Sequence, residues 1–196
     1  MILLLALGLA FGWGMVRGGN PAHLLVFPLR AYGLVLAAFG LQVLVVYVPL
    51  PAWLEGLRVP LLLLSYILLA GFVYGNRRLP GMGLIGAGLL ANGLVMVANG
   101  GYMPVTLEAL HAIGKGHLVS SPAVGARVFG AKDIWLPAEA TRLWFLSDIF
   151  VLPPPFPIPS VFSIGDGLIA LGVFRLIPFA LGVAPQEPNI AGTESA

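Results

Sequence analysis

Long apolar runs alternate with short polar breaks along the chain. Each run approaches the roughly 20 residues that a helix needs to cross the hydrocarbon core of a bilayer. Proline, glycine and arginine concentrate in the breaks, where helices are expected to end. The pattern predicts an all-α, polytopic membrane protein with five transmembrane helices, at residues 1–16, 28–48, 59–74, 81–98 and 163–183.

The stretch between the fourth and fifth runs differs, because polar and apolar residues mix in it. We expect this segment, residues 100–162, to lie on the outer face of the membrane. Apolar residues recur with helical spacing over 141–152, which predicts an amphipathic helix in the membrane interface. The proline-rich arm 153–159 follows, and its extended conformation allows the chain to double back. A polar tail, 184–196, follows the single helical domain 1–183.

Composition supports a membrane protein, since 59% of the residues are hydrophobic and 9% are charged, against about 25% charged in soluble domains. The net charge of +2 is too small for a nucleic-acid partner. Short loops carry Arg17, Arg30, Arg77 and Arg78. The positive-inside rule places these loops in the cytoplasm. We therefore expect a multi-pass protein of a bacterial inner membrane, with its N-terminus outside, its C-terminus inside and lipids as partners.

Two aspartates frame the proline-rich arm and are the main candidates for catalysis. Asp148 precedes the arm, and Asp166 lies at the start of the last apolar run. If the arm doubles back, the two carboxyl groups meet where the bundle opens to water. Two carboxyl groups in a partly dehydrated site share one proton, so that one serves as base and the other as acid. This pattern predicts aspartic-protease chemistry.

A purely structural interpretation of the same residues also stands. Ser163 and Asp166 have the spacing of a capping box, in which both satisfy donors at the start of a helix. Asp148 is then a solvated loop acid. The distance between the two carboxyl groups decides between the alternatives.

Polar residues on the fourth run are candidates for shaping the site. This run is rich in glycine and alanine, which allows close approach of a neighbouring helix. Asn92 and Asn99 lie seven residues apart and therefore on one helical face. A polar side chain within a membrane span is expected to face a partner helix or a cavity. With Ser163, these two asparagines are the predicted shaping residues.

We predict no cofactor and no metal. The chain has no cysteine, which excludes thiolate catalysis and iron–sulfur clusters. His111 and His117 have no carboxylate at ligand spacing, whereas a zinc site needs three or four ligands.

Two stretches of the second half resemble lipoprotein signal peptidases (signal peptidase II). Phe162-Ser-Ile-Gly-Asp166 is similar to the Phe-Asn-x-Ala-Asp motif of that family's last helix, and Phe-Leu-Ser-Asp148-Ile-Phe is similar to its upstream aspartate motif. The resemblance implies hydrolysis of a peptide bond in a membrane-anchored substrate, with Asp148 and Asp166 as the catalytic pair. Val95 and Met96 stand where that family has aspartate and arginine.

Motifs along most of the chain resemble an uncharacterised family of small bacterial integral membrane proteins. They are Gly-Asn76-x-Arg78-Leu-Pro-Gly-Met82, Asn99-Gly-Gly-x-Met-Pro104 and Ser-Ile-Gly-Asp166. This resemblance implies no activity. It leaves open a second function, a non-catalytic accessory subunit of a larger membrane complex, for which the glycine-rich fourth run is suited.

Overall fold

The structure, a computed structural model, describes residues 2–121 and 123–183. Most of these residues are helical, as predicted, and the five longest helices coincide with the five apolar runs. The polar tail 184–196 lies outside the described residues. The α-helices are α1 (Ile2–Val16), α2 (Ala22–Val26), α3 (Tyr32–Tyr47), α4 (Arg58–Gly75), α5 (Met82–Ala98), α6 (Leu107–Ala112) and α7 (Ile164–Ala180).

One helix of the described residues is long and apolar enough to cross a membrane. It runs over Ala52–Gly75 and consists of a 3-10 helix followed by α4. The helices α1, α3 and α5 are apolar but shorter. At 1.5 Å per residue, their 15 to 17 residues extend over about 22–26 Å, less than the roughly 30 Å of a typical hydrocarbon core.

The long helices pack side by side in the order α1, α7, α5, α4, α3, and the connections between them collect at two ends of the bundle. At the first, the arginine end, the N–H of Asn20 donates to the carbonyl of Leu181 (2.9 Å) and the N–H of Arg30 donates to Asn76 Oδ1 (2.9 Å). The first bond joins the loop after α1 to the end of α7, and the second joins the segment before α3 to the loop after α4. The other end, the cavity end, contains loop 48–57 and residues 99–163.

Glycines allow α5 and α7 to approach closely, as the small residues of the fourth run predicted. A Cβ added at Gly88 would collide with the carbonyl oxygen of Gly165, and one added at Gly81 would collide with that of Gly172. Each helix therefore contributes glycines seven residues apart to one contact face. The close contact brings the first turn of α7 directly against Asn92 of α5.

Residues 99–163 build a small folded unit with strands of its own, so the all-α prediction is wrong in this segment. β1 (Met103–Val105) pairs in parallel with β2 (Asp133–Trp135), with Met103 opposite Asp133. β3 (Phe150–Leu152) and β4 (Ser160–Phe162) form an antiparallel hairpin around the proline-rich arm, which doubles back as predicted. Beneath the strands lies a core formed by Val105, Ala109, Leu110 and Val128.

The interfacial helix predicted over 141–152 is wrong. Leu143 adopts a left-handed conformation (φ 52°), and only a single 3-10 turn, Trp144–Leu146, follows it. Asp148 then bridges to Val105 beside β1, its N–H donating to the carbonyl of Pro104 (3.2 Å). Pairing with a strand more than 40 positions earlier therefore overrides the local amphipathic pattern.

Two asparagines at helix C-termini hold distant loops by the same geometry. Asn76, after α4, accepts from the N–H of Arg30 (2.9 Å) and donates to its carbonyl (2.8 Å). Asn99, after α5, accepts from the N–H of Arg142 (2.9 Å) and donates to its carbonyl (2.8 Å). In both cases the next residue, Ala31 or Leu143, has a positive φ. We call these two contacts the asparagine clamps.

Candidate functional site

A cavity of about 510 Å³ opens at the cavity end of the bundle, between α3, the start of α7 and the segment 99–163. The chain contains only three aspartates and two lysines, and all five line this cavity. Gln42 and Ser160 add uncharged polar groups to the wall, and apolar residues of α3 complete it. We call this set, Lys115, Lys132, Asp133, Asp148 and Asp166, the charged cluster.

The strand β1 brings two of the aspartates into the cavity. The glycines at 100 and 101 have φ of 78° and 95°, a region that favours glycine, and they turn the chain from α5 into β1. Asp133 then pairs with Met103 of β1, while Asp148 bridges to its last residue, Val105. One short strand therefore positions both acids.

Asp166 enters the cavity from the first turn of α7 and belongs to a closed ring of hydrogen bonds. Its N–H donates to Ser163 Oγ (3.0 Å), Ser163 Oγ donates to Asn92 Oδ1 (2.8 Å), and Asn92 Nδ2 donates to Asp166 Oδ1 (2.7 Å). Since the serine hydroxyl supplies the proton to Asn92 Oδ1, the amide of Asn92 must present its N–H to the Asp166 carboxyl group. The ring fixes Asp166 as a hydrogen-bond acceptor.

The capping interpretation therefore applies to Ser163 but does not account for the carboxyl group of Asp166. Ser163 is the N-cap of α7, as a capping box requires. The carboxyl group of Asp166 instead binds Asn92 on the neighbouring helix and lines the cavity.

Asp148 is buried, with 5% of its surface exposed, and its Oδ1 has no hydrogen-bond partner among the described residues. Burial raises the pKa of Asp148 well above its usual range, and the charges of Asp133 and Asp166 raise it further. An orphaned oxygen of this kind is unusual in a folded protein and costs free energy unless something binds it. This arrangement favours the protonated form of the Asp148 carboxyl group.

Asp133 and Lys132 are members of the cavity that sequence reasoning did not single out. Burial raises the pKa of Asp133 to about 6, although the charge of Lys132 lowers it in part. Lys132 Nζ donates to the hydroxyl of Tyr66 on α4 (3.0 Å). The only sequence signal for either residue is that this Lys-Asp pair is the chain's one pair of adjacent opposite charges.

Asn99, predicted to shape the site, does not line the cavity. Its side chain binds only backbone, at Val95 and Arg142. It therefore anchors the segment that carries Asp148. Within the described residues, no group of three His, Asp or Glu side chains has a geometry suited to a metal ion.

The fold and the cavity define a class: a mostly helical protein with one candidate membrane-spanning helix and a buried acid-rich cavity at one end of its bundle. The chain belongs to the family described as "Family of unknown function (DUF5317)", which matches residues 26–178. It is also similar to an uncharacterized protein of Thermotoga maritima, with 29% identity over 156 residues, covering 80% of this chain and 79% of the relative. No solved structure matches.

Proposed function

We propose that this protein is a membrane-embedded aspartyl hydrolase that cuts a peptide bond in a membrane-anchored substrate, with Asp148 and Asp166 as its acid and base. The proposal rests on one observation. Both carboxyl groups line the same cavity, but they differ in their hydrogen bonds. Asp166 accepts a hydrogen bond from Asn92, whereas Asp148 is buried and its Oδ1 has no partner within residues 2–121 and 123–183. The resemblance of both aspartate motifs to lipoprotein signal peptidases supports the same chemistry.

The proposed reaction follows from these two states. Asp166 accepts a proton from a water molecule as the water oxygen bonds to the substrate carbonyl carbon. Asp148 donates its proton to the carbonyl oxygen and so stabilises the tetrahedral intermediate. When the C–N bond breaks, the proton held by Asp166 passes to the leaving amine, and the proton on the carbonyl oxygen returns to Asp148. Both aspartates then have their original protonation.

The experiment that tests this reaction uses the purified chain in lipid nanodiscs. Its substrates are two pools of membrane-anchored, quenched fluorescent peptides, one acylated and one not. We expect Asp148→Asn and Asp166→Asn each to reduce cleavage at least about a hundredfold, because each removes one proton-transfer group. The control Glu139→Gln changes an exposed acid of the same segment and should cleave normally.

Two results would reject the proposal. One is full cleavage by either aspartate variant, and the other is a wild-type protein that cleaves neither pool. Circular dichroism and thermal melting of the variants must match the wild type, so that a loss of cleavage is not a loss of fold.

We also propose that the five long helices all cross the bacterial inner membrane, with the cavity outside and the C-terminus in the cytoplasm. Large apolar side chains are widely exposed on the helix faces, for example Leu36 (66%), Ile67 (66%) and Leu90 (64%). Local thinning of the bilayer accommodates short spans at modest cost. The arginine end collects the cationic loops, as the positive-inside rule requires of a cytoplasmic face.

Because the chain has no cysteine, single cysteines report this topology without background. In spheroplasts, an impermeant maleimide should label Glu139→Cys and leave Arg78→Cys unlabelled until the membrane is opened. The reverse pattern would invert the proposed orientation, and labelling of both in intact spheroplasts would contradict an odd number of spans between them.

A second function, a non-catalytic accessory subunit, is favoured by one specific feature. An apolar groove of about 620 Å³ runs between α4 and α5, and Gly86 and Gly93 contribute to it. Small residues spaced in this way suit the close approach of another membrane helix. Purification of the native protein as a monodisperse monomer with cleavage activity would contradict this function, whereas stable co-purification of a partner without activity would support it.

A further inference from the structure

The five members of the charged cluster line one cavity, and within the described residues no lysine of the cluster forms an ion pair with an aspartate. No ion pair within 4.0 Å joins a lysine of the cluster to an aspartate in the described part of the chain, where the only salt bridges involve Glu55 with Arg58 and Arg127. Charges of opposite sign thus share a cavity of about 510 Å³ while remaining separate. They act on one another through the field across the cavity, which is strong where water is partly excluded.

Hydrogen bonds fix both the backbone and the side chain of Lys132 in this cavity. Its carbonyl accepts from the N–H of Met103 (3.1 Å), which fixes its backbone against β1. Its Nζ donates to the hydroxyl of Tyr66 (3.0 Å), a residue of α4. These two contacts fix the position of the ammonium group in the cavity.

The charged and titratable groups around Lys132 come from α3, α4, α7 and the segment 99–163, and Tyr47 lines the cavity from α3. Tyr66 faces it from α4, and Asp166 faces it from the first turn of α7. The remaining groups, Lys115, Asp133 and Asp148, belong to the segment 99–163. Burial alone would lower the pKa of Lys132, but Tyr66, Asp166 and Asp148 raise it above its ordinary value. Lys132 therefore carries its positive charge throughout the physiological pH range.

We propose that Lys132 is the counter-ion of the charged cluster: fixed by Tyr66, its ammonium group stabilises negative charge on Asp133 and Asp148 and so sets the pH range in which Asp148 works as an acid. The catalytic consequence rests on the proposed function. The electrostatic role of Lys132 follows from its position in the cavity and does not depend on the proposed hydrolysis. Lys132 is a positioning residue in this assignment, since it acts through the aspartates.

The test measures the aspartates directly. With aspartate labelled with ¹³C at its side-chain carboxyl carbon, the protein in nanodiscs gives three such signals, because the chain has three aspartates. Asn variants assign them one at a time. In Lys132→Met we expect the titration of Asp148 and Asp133 to move to higher pH by about one unit or more, because an opposite charge has been removed. Lys132→Arg keeps the charge and should leave the titrations near their wild-type positions.

Lys115→Met is the matched control, since Lys115 is the other lysine of the cavity. The charge of Lys115 lowers the pKa of Asp133, whereas the charge of Lys132 lowers the pKa of both Asp133 and Asp148. Lys115→Met should therefore shift the Asp133 signal and move the Asp148 signal less than Lys132→Met does. Equal shifts of Asp148 in Lys115→Met and Lys132→Met would overturn the specific role of Lys132.

The outcomes separate this inference from the proposed function. If the three titrations in Lys132→Met match the wild type, the inference is wrong, whether or not the protein cleaves peptides. If they shift while the wild type cleaves nothing, the counter-ion stands and the hydrolase does not. If both hold, the pH profile of cleavage in Lys132→Met moves to higher pH with the Asp148 titration.

Tyr66→Phe covers the case in which Lys132→Met fails to fold. It removes only the hydroxyl that fixes the ammonium group, and we expect a smaller shift of Asp148 in the same direction. Absence of any shift in Tyr66→Phe would overturn the role given to the tyrosine. An unshifted Asp148 in both Tyr66→Phe and a folded Lys132→Gln would overturn the counter-ion itself.

Discussion

Two polar clusters at the cavity end use similar residue types in opposite ways. In the first, Arg58 is 4% exposed and binds Glu55 through Nε (2.6 Å) and Nη2 (2.9 Å). Its Nη1 also donates to the carbonyl of Val45, at the end of α3. In the second, the charged cluster, Asp148 is equally buried, yet its Oδ1 has no partner among the described residues.

The difference indicates which buried charges hold the fold together. A buried ion that has all its hydrogen bonds stabilises the contacts around it, and removal of one partner is costly. A buried carboxyl group without a partner contributes no such contact and is instead a candidate for chemistry. Arg58 is therefore expected to matter for stability, and Asp148 for activity.

The largest effect on stability is expected at Arg58. Arg58→Met leaves the carbonyl of Val45 without its charged donor and should lower the free energy of unfolding by about 2–3 kcal/mol. Asp148→Asn removes no hydrogen bond that its carboxyl group makes within the described residues, so it should lower the free energy of unfolding much less than Arg58→Met does. Unfolding in mixed micelles by added denaturing detergent measures both.

Arg127→Met is the control for the first cluster. Arg127 reaches Glu55 at 3.9 Å and is 31% exposed, so its loss should cost under about 1 kcal/mol. Equal losses of stability in Asp148→Asn and Arg58→Met would contradict the distinction between the two clusters.

The next largest effect is expected where the second cluster depends on close helix packing. A methyl group at position 165 would collide with Asn92 Oδ1. Gly165→Ala should cost about 1–3 kcal/mol and should also reduce cleavage, because it displaces the amide that binds Asp166. Gly167→Ala, two residues further along α7, meets nothing within 4 Å and serves as the control.

Both properties must be followed in these two variants, by detergent-induced unfolding and by peptide cleavage. If Gly165→Ala cleaves at the wild-type rate, the contact between Asn92 and Asp166 has no part in the reaction.

A smaller effect is expected at Ser163, which belongs to both the fold and the site. Ser163→Ala removes the N-cap of α7 at a cost of about 1 kcal/mol. It also frees the amide of Asn92 to turn away from Asp166, so cleavage should fall more than stability does. Ser163→Thr retains the hydroxyl and should restore both. A threonine variant as inactive as the alanine variant would contradict the role assigned to the hydroxyl.

The last effect is a dependence of stability on pH. The pKa of Asp133 is raised to about 6 by burial, and that of Asp148 is raised as well. The folded protein therefore binds more protons than the unfolded chain above pH 4, so stability is highest in acid and falls as the pH rises through 6.

Thermal melting at pH 5 and pH 7.5 measures this dependence. We expect a midpoint lower by about 2 °C or more at pH 7.5. The double variant Asp133→Asn with Asp148→Asn should remove most of the difference. A wild-type midpoint that rises between these pH values would show that the cavity does not hold its aspartates in the protonated form.

Much of the helical framework is predictable from the sequence, because apolar runs bounded by proline and glycine are local signals. α4 and α5 begin and end within one residue of their predicted positions. Asn92 faces a partner helix, as expected of a polar group inside an apolar run. The sequence allowed the chain to reverse at the proline-rich arm, and the pairing of β3 with β4 shows that it does.

The cavity was only partly predictable, because its walls depend on pairings between distant residues. β1 and β2 have three residues each and lie about 30 positions apart, so neither leaves a periodic pattern in the sequence. Lys132 and Asp133 reach the site only through this pairing. Residues 141–152 show the opposite case. Their local pattern predicted a helix, but the structure has the bridge between Val105 and Asp148 there instead.

The asparagine clamps have a consequence for the attachment of the loops at high salt concentration. Each holds a loop through main-chain atoms of an arginine and an uncharged amide, so no ion takes part. Dissolved salt weakens attraction between charges beyond about 10 Å at 0.1 M, but it leaves hydrogen bonds of this kind almost untouched. The loops at both ends of the bundle should therefore keep their positions at high salt concentration. The guanidinium groups of Arg30 and Arg142 take no part in these bonds and can make other contacts.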